Sequence, residues 1–365
     1  ASCLVGSEMC IRDRNNNMKE LIKNRRGLQR TNNIVIPDSR TWLNMSNYIT
    51  TMSSDYSVLQ LKIVILIIEK MQMYISKVIN NTPLDLFGER ESVLINIEYR
   101  ELGITSNKYT IAREVAMKMI TTPVSFDIIN PLTGEKAWYC TGLISSVLIP
   151  KKKNSRSFSV EIKREIMDVL LNVDKGFTQF IKEIAFNASS KYTIRLYMLI
   201  SSWKNKGGFS IDMGKFRKWL KLENKYNDYK DLYRRVIRPV YEELFEKSNC
   251  WFEVAEVYRD NENQPYKLNF KVIKPALSQK EKEELELKQK NITEMCMTHL
   301  CMNTKQTAEL KRLVDNGNMN KIITKIVFLG EYVKKHYTEI SDVGEYCYTA
   351  LMKEANTSGL VGDSI

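Results

Sequence analysis

Lys230, Arg234 and Arg238 stand four residues apart in the stretch from Tyr229 to Leu244, and Lys225 and Asn227 lie just ahead of them. A guanidinium can donate two hydrogen bonds at once to guanine O6 and N7, so cations at helical spacing suit reading of the DNA major groove. Beside them Tyr229, Leu232, Tyr233, Val236, Ile237, Val240, Tyr241 and Leu244 recur at three and four residues, a core stripe next to a cationic one. Taken alone, the cationic stripe reads more readily as a solvated face, and it is the elements around it that turn the reading towards DNA. Pro239 removes a helical N–H and crowds the carbonyl of Arg235, which predicts a kink that turns Arg238 towards the phosphates and leaves Arg234 to read bases.

Other residues of reactive type are sparse. The only histidines are His299 and His336, which excludes DNA nicking by a His-x-His metal site and a Tyr nucleophile. No G-x-x-x-x-G-K-[ST] loop is present to cradle ATP phosphates. Cys296, His299 and Cys301 are near one another, yet a structural zinc needs four ligands and no fourth is near in sequence, so they read as core or surface side chains. No enzymatic activity, metal or cofactor is expected. Lys151, Lys152, Lys153 and Arg156 form a cationic hairpin tip, and Arg217 and Lys218 are two further cations suited to phosphates. A solubilising turn is the competing reading of that tip.

The elements that must position the cationic stripe follow from the surrounding pattern. Ile194, Leu196, Tyr197, Leu199, Ile200 and Trp203 give a helix that Lys206-Gly207-Gly208 stops. Ile211 is a strand residue, and Asp212 caps a short helix from Met213 to Leu220. After the long basic helix, which begins near Asn227, Cys250 to Tyr258 and the alternating Leu268, Phe270 and Val272 make a hairpin. Helix, helix, basic helix and hairpin is the order of a winged helix-turn-helix.

An earlier segment repeats that order. Leu102, a short link and Asn107-Lys108-Tyr109 open a helix to Ile120 with the strand Val124 to Ile129 behind it, as Leu220 and Asn224-Lys225-Tyr226 precede the second helix. Ser106 or Thr105 is expected to cap this first helix, with Ile111, Ala112, Val115, Ala116, Met119 and Ile120 inward. Asn107, Lys108, Thr110 and Arg113 are then its candidate DNA contacts. Val93 to Tyr99 alternates as a strand, and Arg100 to Ile104 is expected to begin a short helix.

The run Tyr192 to Tyr197, then Phe216 to Leu222, Tyr226, Asp231 to Ile237, Pro239 and Glu243 resembles the initiator replication proteins of theta-replicating, iteron-bearing plasmids. The resemblance spans roughly Met52 to Pro275 and covers neither terminus. It implies two winged helices that bind repeated double-stranded sites in a replication origin, open adjacent A·T-rich DNA and recruit the host replicative helicase alongside host initiator proteins. It also implies a homodimer on an inverted operator that represses the protein's own gene.

The chain as a whole fits such a protein. Its 365 residues carry 55 Lys plus Arg against 43 Asp plus Glu, a formal +12 that suits a polyanionic partner. Ala1 to Arg14 resembles translated adapter read-through, with Met18 as a natural start, and Lys19 to Arg30 is basic. Val58 to Ile79 is apolar but interrupted by Lys62, Glu69, Lys70 and Lys77, so it reads as a core helix and no membrane partner is expected. Seven Cys at irregular spacing, with no secretory segment, point to reduced thiols in the cytoplasm. The expected class is α+β: an N-terminal arm over 1–51, winged helices over 52–172 and 173–275, and a helical C-terminal extension over 276–365. A tandem winged-helix transcription regulator, or a structural protein whose basic helices are merely solvated, are the competing functions on residues alone. The extension reads as a contact surface or as a packing appendage.

Overall fold

The computed structural model describes residues 41–79, 91–130, 132–152, 155–172, 175–260, 264–275, 279–314 and 319–356. Its first elements are strand β1 (Trp42–Ser46), helix α1 (Asn47–Thr51) and the short strand β2 (Ser53–Ser54). Helix α2 (Val58–Lys70) opens on a capping box: the Gln60 N–H donates to Ser57 Oγ, and the Ser57 N–H donates to Gln60 Oε1. Leu61 and every residue from Ile63 to Ile68 are buried, as befits a helix apolar on all faces. Among the described residues no helix is long and apolar enough to cross a membrane.

Helix α3 (Gln72–Ile79) and strand β3 (Ser92–Glu98) follow. The short helix expected after β3 is instead a run of turns, in which the amides of Glu101, Leu102 and Gly103 reach back three residues. Gly103, at φ +67°, ends that run in a left-handed conformation that an α-helix cannot continue. A 3₁₀ turn (Ser106–Lys108) leads into α4 (Tyr109–Thr121), and Thr105, at the position before the turn, makes no capping bond. Strands β4 (Pro123–Ile129), β5 (Lys136–Gly142), β6 (Ser146–Leu148) and β7 (Ser157–Lys163) and helix α5 (Arg164–Leu171) complete the first half.

The second half runs β8 (Phe177–Ile181), α6 (Lys182–Phe186), α7 (Lys191–Trp203), β9 (Gly208–Asp212) and α8 (Met213–Leu220). Tyr229–Leu232, Tyr233–Ile237 and Arg238–Lys247 then succeed one another without a break as one long helix, α9, before β10 (Trp251–Arg259) and β11 (Pro265–Ile273). In each half the strand ahead of the long helix pairs with the last strand of the hairpin behind it: β3 with β7, and β9 with β11. This is a winged-helix plan laid down twice, with the hairpin β4–β5 inserted into the first copy and extended by β2. Gly208, at φ +155°, lies so close to β11 that a Cβ would run into the carbonyl of Phe270, so the strand entry requires glycine.

Residues 42–51 are not part of an arm. β1 pairs residue for residue with β8, from Trp42 opposite Ile181 to Ser46 opposite Phe177, so the start of the first half is hydrogen-bonded to the start of the second. One buried cluster runs through both halves, from Leu43 to Val272. Helices α10 (Gln279–Leu300), α11 (Thr304–Leu313), α12 (Met319–His336) and α13 (Val343–Asn356) bury a core of their own that includes Ile292, Cys296, Leu310, Ile322, Ile326 and Leu351. The charged stretch over 278–290 belongs, from Gln279, to the first half of α10.

Candidate nucleic-acid interface

Helix α9 begins after Asp228, whose carboxylate accepts from the Lys230 N–H at 3.1 Å. Leu232, Val236, Ile237, Val240 and Leu244 are buried, while Lys230, Arg234 and Arg238 are exposed. The disturbance expected at Pro239 takes the form of a π turn over Tyr233–Ile237. The wider turn carries the backbone past the proline, and it suits a cation stripe of spacing four, because a turn that closes five residues back brings residues four apart nearer to alignment. Arg234 pairs with Asp231 at 2.7 Å and Arg238 with Glu242 at 3.0 Å. Both pairs are exposed, so each is worth at most about 1 kcal/mol and yields readily to a phosphate or a base edge.

The loop in front of α9 is built by Arg217. Its guanidinium donates to the carbonyls of Lys225 at 3.0 Å, Tyr226 at 2.8 Å and Asn227 at 3.0 Å, with a longer bond to Leu222. The loop needs that clamp because both Lys221 and Tyr226 sit at φ +54°, a region costly for residues with side chains. Lys218 is likewise engaged, its ammonium 2.9 Å from the ring centroid of Trp138 on β5. Both cations, expected from the sequence as phosphate contacts, are half-buried, Arg217 against the loop carbonyls and Lys218 against the indole. Lys225 and Asn227 are exposed on the same loop. The Asn-Lys-Tyr triplets are not equivalent: the first runs into α4 at Tyr109, while the second lies in the turn ahead of α9.

In the first half, Asn107, Lys108 and Thr110 are exposed at the start of α4. Arg113 is half-buried, its Nε donating to Tyr99 Oη at 2.7 Å, so it braces the ring that Tyr109 stacks on at 4.0 Å. The inward stripe is narrower than expected. Ala112, Ala116 and Met119 are buried, but Ile111 and Ile120 are exposed together with Met117. Two alanines let α4 approach α2 closely, and a helix that seats so tightly leaves its flanking side chains outside. The outer face of α4 thus mixes Ile111, Met117 and Ile120 with Thr110, Glu114 and Lys118, and it is less cationic than that of α9. Lys151 and Lys152 are exposed between β6 and β7, and Lys153 lies outside the described residues.

Three further cations, not expected from the sequence, accompany these. Arg235 is exposed, 5.9 Å from the ring of Tyr226; Arg259 at the end of β10 lies 5.8 Å from the ring of Tyr229; Lys267 on β11 lies 5.7 Å from that of Tyr258. These put charge on the second wing as well as on α9. Alternation along β11 was the available signal for Lys267, which falls opposite to the buried Leu268 and Phe270, whereas the register shifts in β10 after Val254 and Tyr258 break that signal for Arg259. Cys296 is buried in the C-terminal core, where burial pushes its thiol up to about 12 and the nearby Cys347 thiol to about 11. His299 and Cys301 are exposed, and among the described residues no three potential ligands converge on a metal position.

Residues 42–201 match the family model described as initiator replication protein, WH1, and residues 212–270 match that described as initiator Rep protein, WH2. Together they take in more than half of the chain. The solved structure titled "Crystal structure of Pi initiator protein in complex with iteron DNA" is similar at 16% identity with a TM-score of 0.48, over 66% of this chain and 100% of that one. No curated protein matches the chain.

Proposed function

Since the chain belongs to the initiator replication protein family, with both of its winged-helix domains matched, we propose that it starts plasmid replication by binding repeated double-stranded sites at the origin. The observation that carries this is α9: Lys230, Arg234, Arg235 and Arg238 are exposed on a helix whose other face is core, with Arg259 and Lys267 on the adjoining wing. That arrangement allows the helix to enter a major groove while the wing follows the phosphates. The first half adds Asn107, Lys108 and Thr110 and the tip Lys151–Lys152, so a second groove is read by a less charged surface. The protein acts by binding alone, in the cytoplasm, without catalysis. Origin binding strains the neighbouring A·T-rich DNA and presents the complex to the host helicase, and a homodimer on an inverted operator represses the gene.

Footprinting on the plasmid's own origin tests the reading. The expected pattern is protection of tandem repeats of ~20 base pairs across two major grooves on one face, about one helical turn apart. Protection confined to one groove would remove the first winged helix from the interface, and a lone inverted repeat would favour a transcription regulator.

A further inference from the structure

Arg195 lies in the middle of α7 and is 7% exposed. One terminal nitrogen donates to the Ser54 carbonyl at 2.9 Å and to Ser54 Oγ at 3.3 Å, and the other donates to the Met52 carbonyl. The guanidinium also lies 4.8 Å from the ring of Trp219 on α8. Among the described residues its hydrogen-bond partners are these oxygens alone, and none is a carboxylate. Burial pulls its pKa down to about 9, with Asp55 acting in the opposite direction.

The partners belong to different halves of the molecule. Ser53 and Ser54 are β2, paired with Ser125 and Val124 of β4 in the first winged helix. Trp219 is on α8 of the second, and Arg195 is on α7, which packs against β8, α9 and β10 of that half although the WH1 match runs on to residue 201. Weaker ties cross at the same place: Ser53 Oγ donates to the Lys218 carbonyl at 3.0 Å, and Lys191 pairs with Asp55 at 2.6 Å. An apolar side chain would fill this space without the cost of burying a cation. What it could not supply is direction, since the planar fork holds two carbonyls at a fixed separation while an aromatic face fixes its plane.

We infer that Arg195 is a positioning residue that, beside the β1–β8 pair and the shared core, fixes the distance and rotational phase between the two winged helices, and so sets the spacing of the half-sites the chain accepts. The inference rests on the reading that both winged helices bind DNA. Each inserted base pair moves one half-site by about 3.4 Å and turns it by about a tenth of a helical turn. A rigid link cannot follow that displacement; a loosened one can.

The test measures full-length wild type, Arg195→Met and Arg195→Lys on origin-repeat duplexes carrying zero to five added base pairs between the half-sites, and on a single half-site. Wild type is expected to lose about tenfold or more with two added base pairs. Arg195→Met should bind native spacing about tenfold more weakly, lose less than about threefold on the added spacings, and keep its half-site affinity, as a loss of effective concentration predicts. Arg195→Lys, which keeps the charge without the fork, should show the same flattened profile, and it decides the matter should Arg195→Met fail to fold. A profile as steep as wild type in the lysine variant would overturn the inference, whatever its absolute affinity. Wild type that binds neither repeat nor half-site would instead overturn the DNA-binding reading on which this one stands.

Discussion

The N–H of Arg238 donates to the carbonyl of Tyr233, five residues back, one residue ahead of Pro239. A proline inside an α-helix removes a bond and collides with the carbonyl four residues earlier, at a cost of about 3 kcal/mol. Closing the turn at five residues moves the strain into a π turn, and the arginine stripe is displayed on the result. Pro239→Ala should therefore let the turn relax towards α-helix, hold or raise the melting temperature, and lower affinity for the origin repeat more than for random duplex. Calorimetry and titration of both duplexes check this. A fall in melting temperature with unchanged specificity would show the π turn to be packing alone.

The order of elements in the second half was legible because alternation marks β11 and period marks α9. In the first half the same order survived, yet its second helix did not. Gly103 was the one sign against it, since glycine readily takes the left-handed φ that ends a helix. The contacts of Arg217 and Lys218 were illegible for a different reason: their partners are backbone carbonyls and an indole from a distant strand, which leave no trace in local spacing. The strand pair β1–β8 was hidden likewise, since pairing across more than 130 residues has no local signature.

Arg217→Met should cost about 2 kcal/mol of stability, because the carbonyls of Lys225, Tyr226 and Asn227 lose a charged donor together. Binding to all duplexes should weaken alike as the loop before α9 loosens. Denaturant titration beside DNA titration distinguishes this from a phosphate contact, whose removal leaves stability alone.

The C-terminal helices have their own core, so damage there should stay there. Leu351→Ala is expected to destabilise that core by about 2–5 kcal/mol. The origin footprint of the winged helices should be unchanged, and loss of the footprint would tie the extension to DNA binding.

Lys152, exposed at the tip between β6 and β7, should act through charge alone. Lys152→Ala is expected to weaken specific and random duplexes equally and to flatten the slope of log affinity against log salt by about 0.9. An unaltered slope returns the tip to a solvated turn.

Arg234 carries the sharpest expectation. It is exposed, it projects from the stretch of α9 that the π turn widens, and its only described carboxylate partner is Asp231, one turn away on the same helix. An exposed pair at that spacing contributes less than about 1 kcal/mol, so Arg234→Ala should scarcely move the melting temperature. If the guanidinium reads guanine in the repeat, its removal costs roughly 1–3 kcal/mol on that sequence and little on random DNA. Asp231→Asn makes the complementary change: it frees the arginine and removes a negative charge from the groove face, so affinity for every duplex should rise. Equal losses on specific and random duplexes for Arg234→Ala would assign the residue to the phosphates and leave base reading to Lys230 and Arg238.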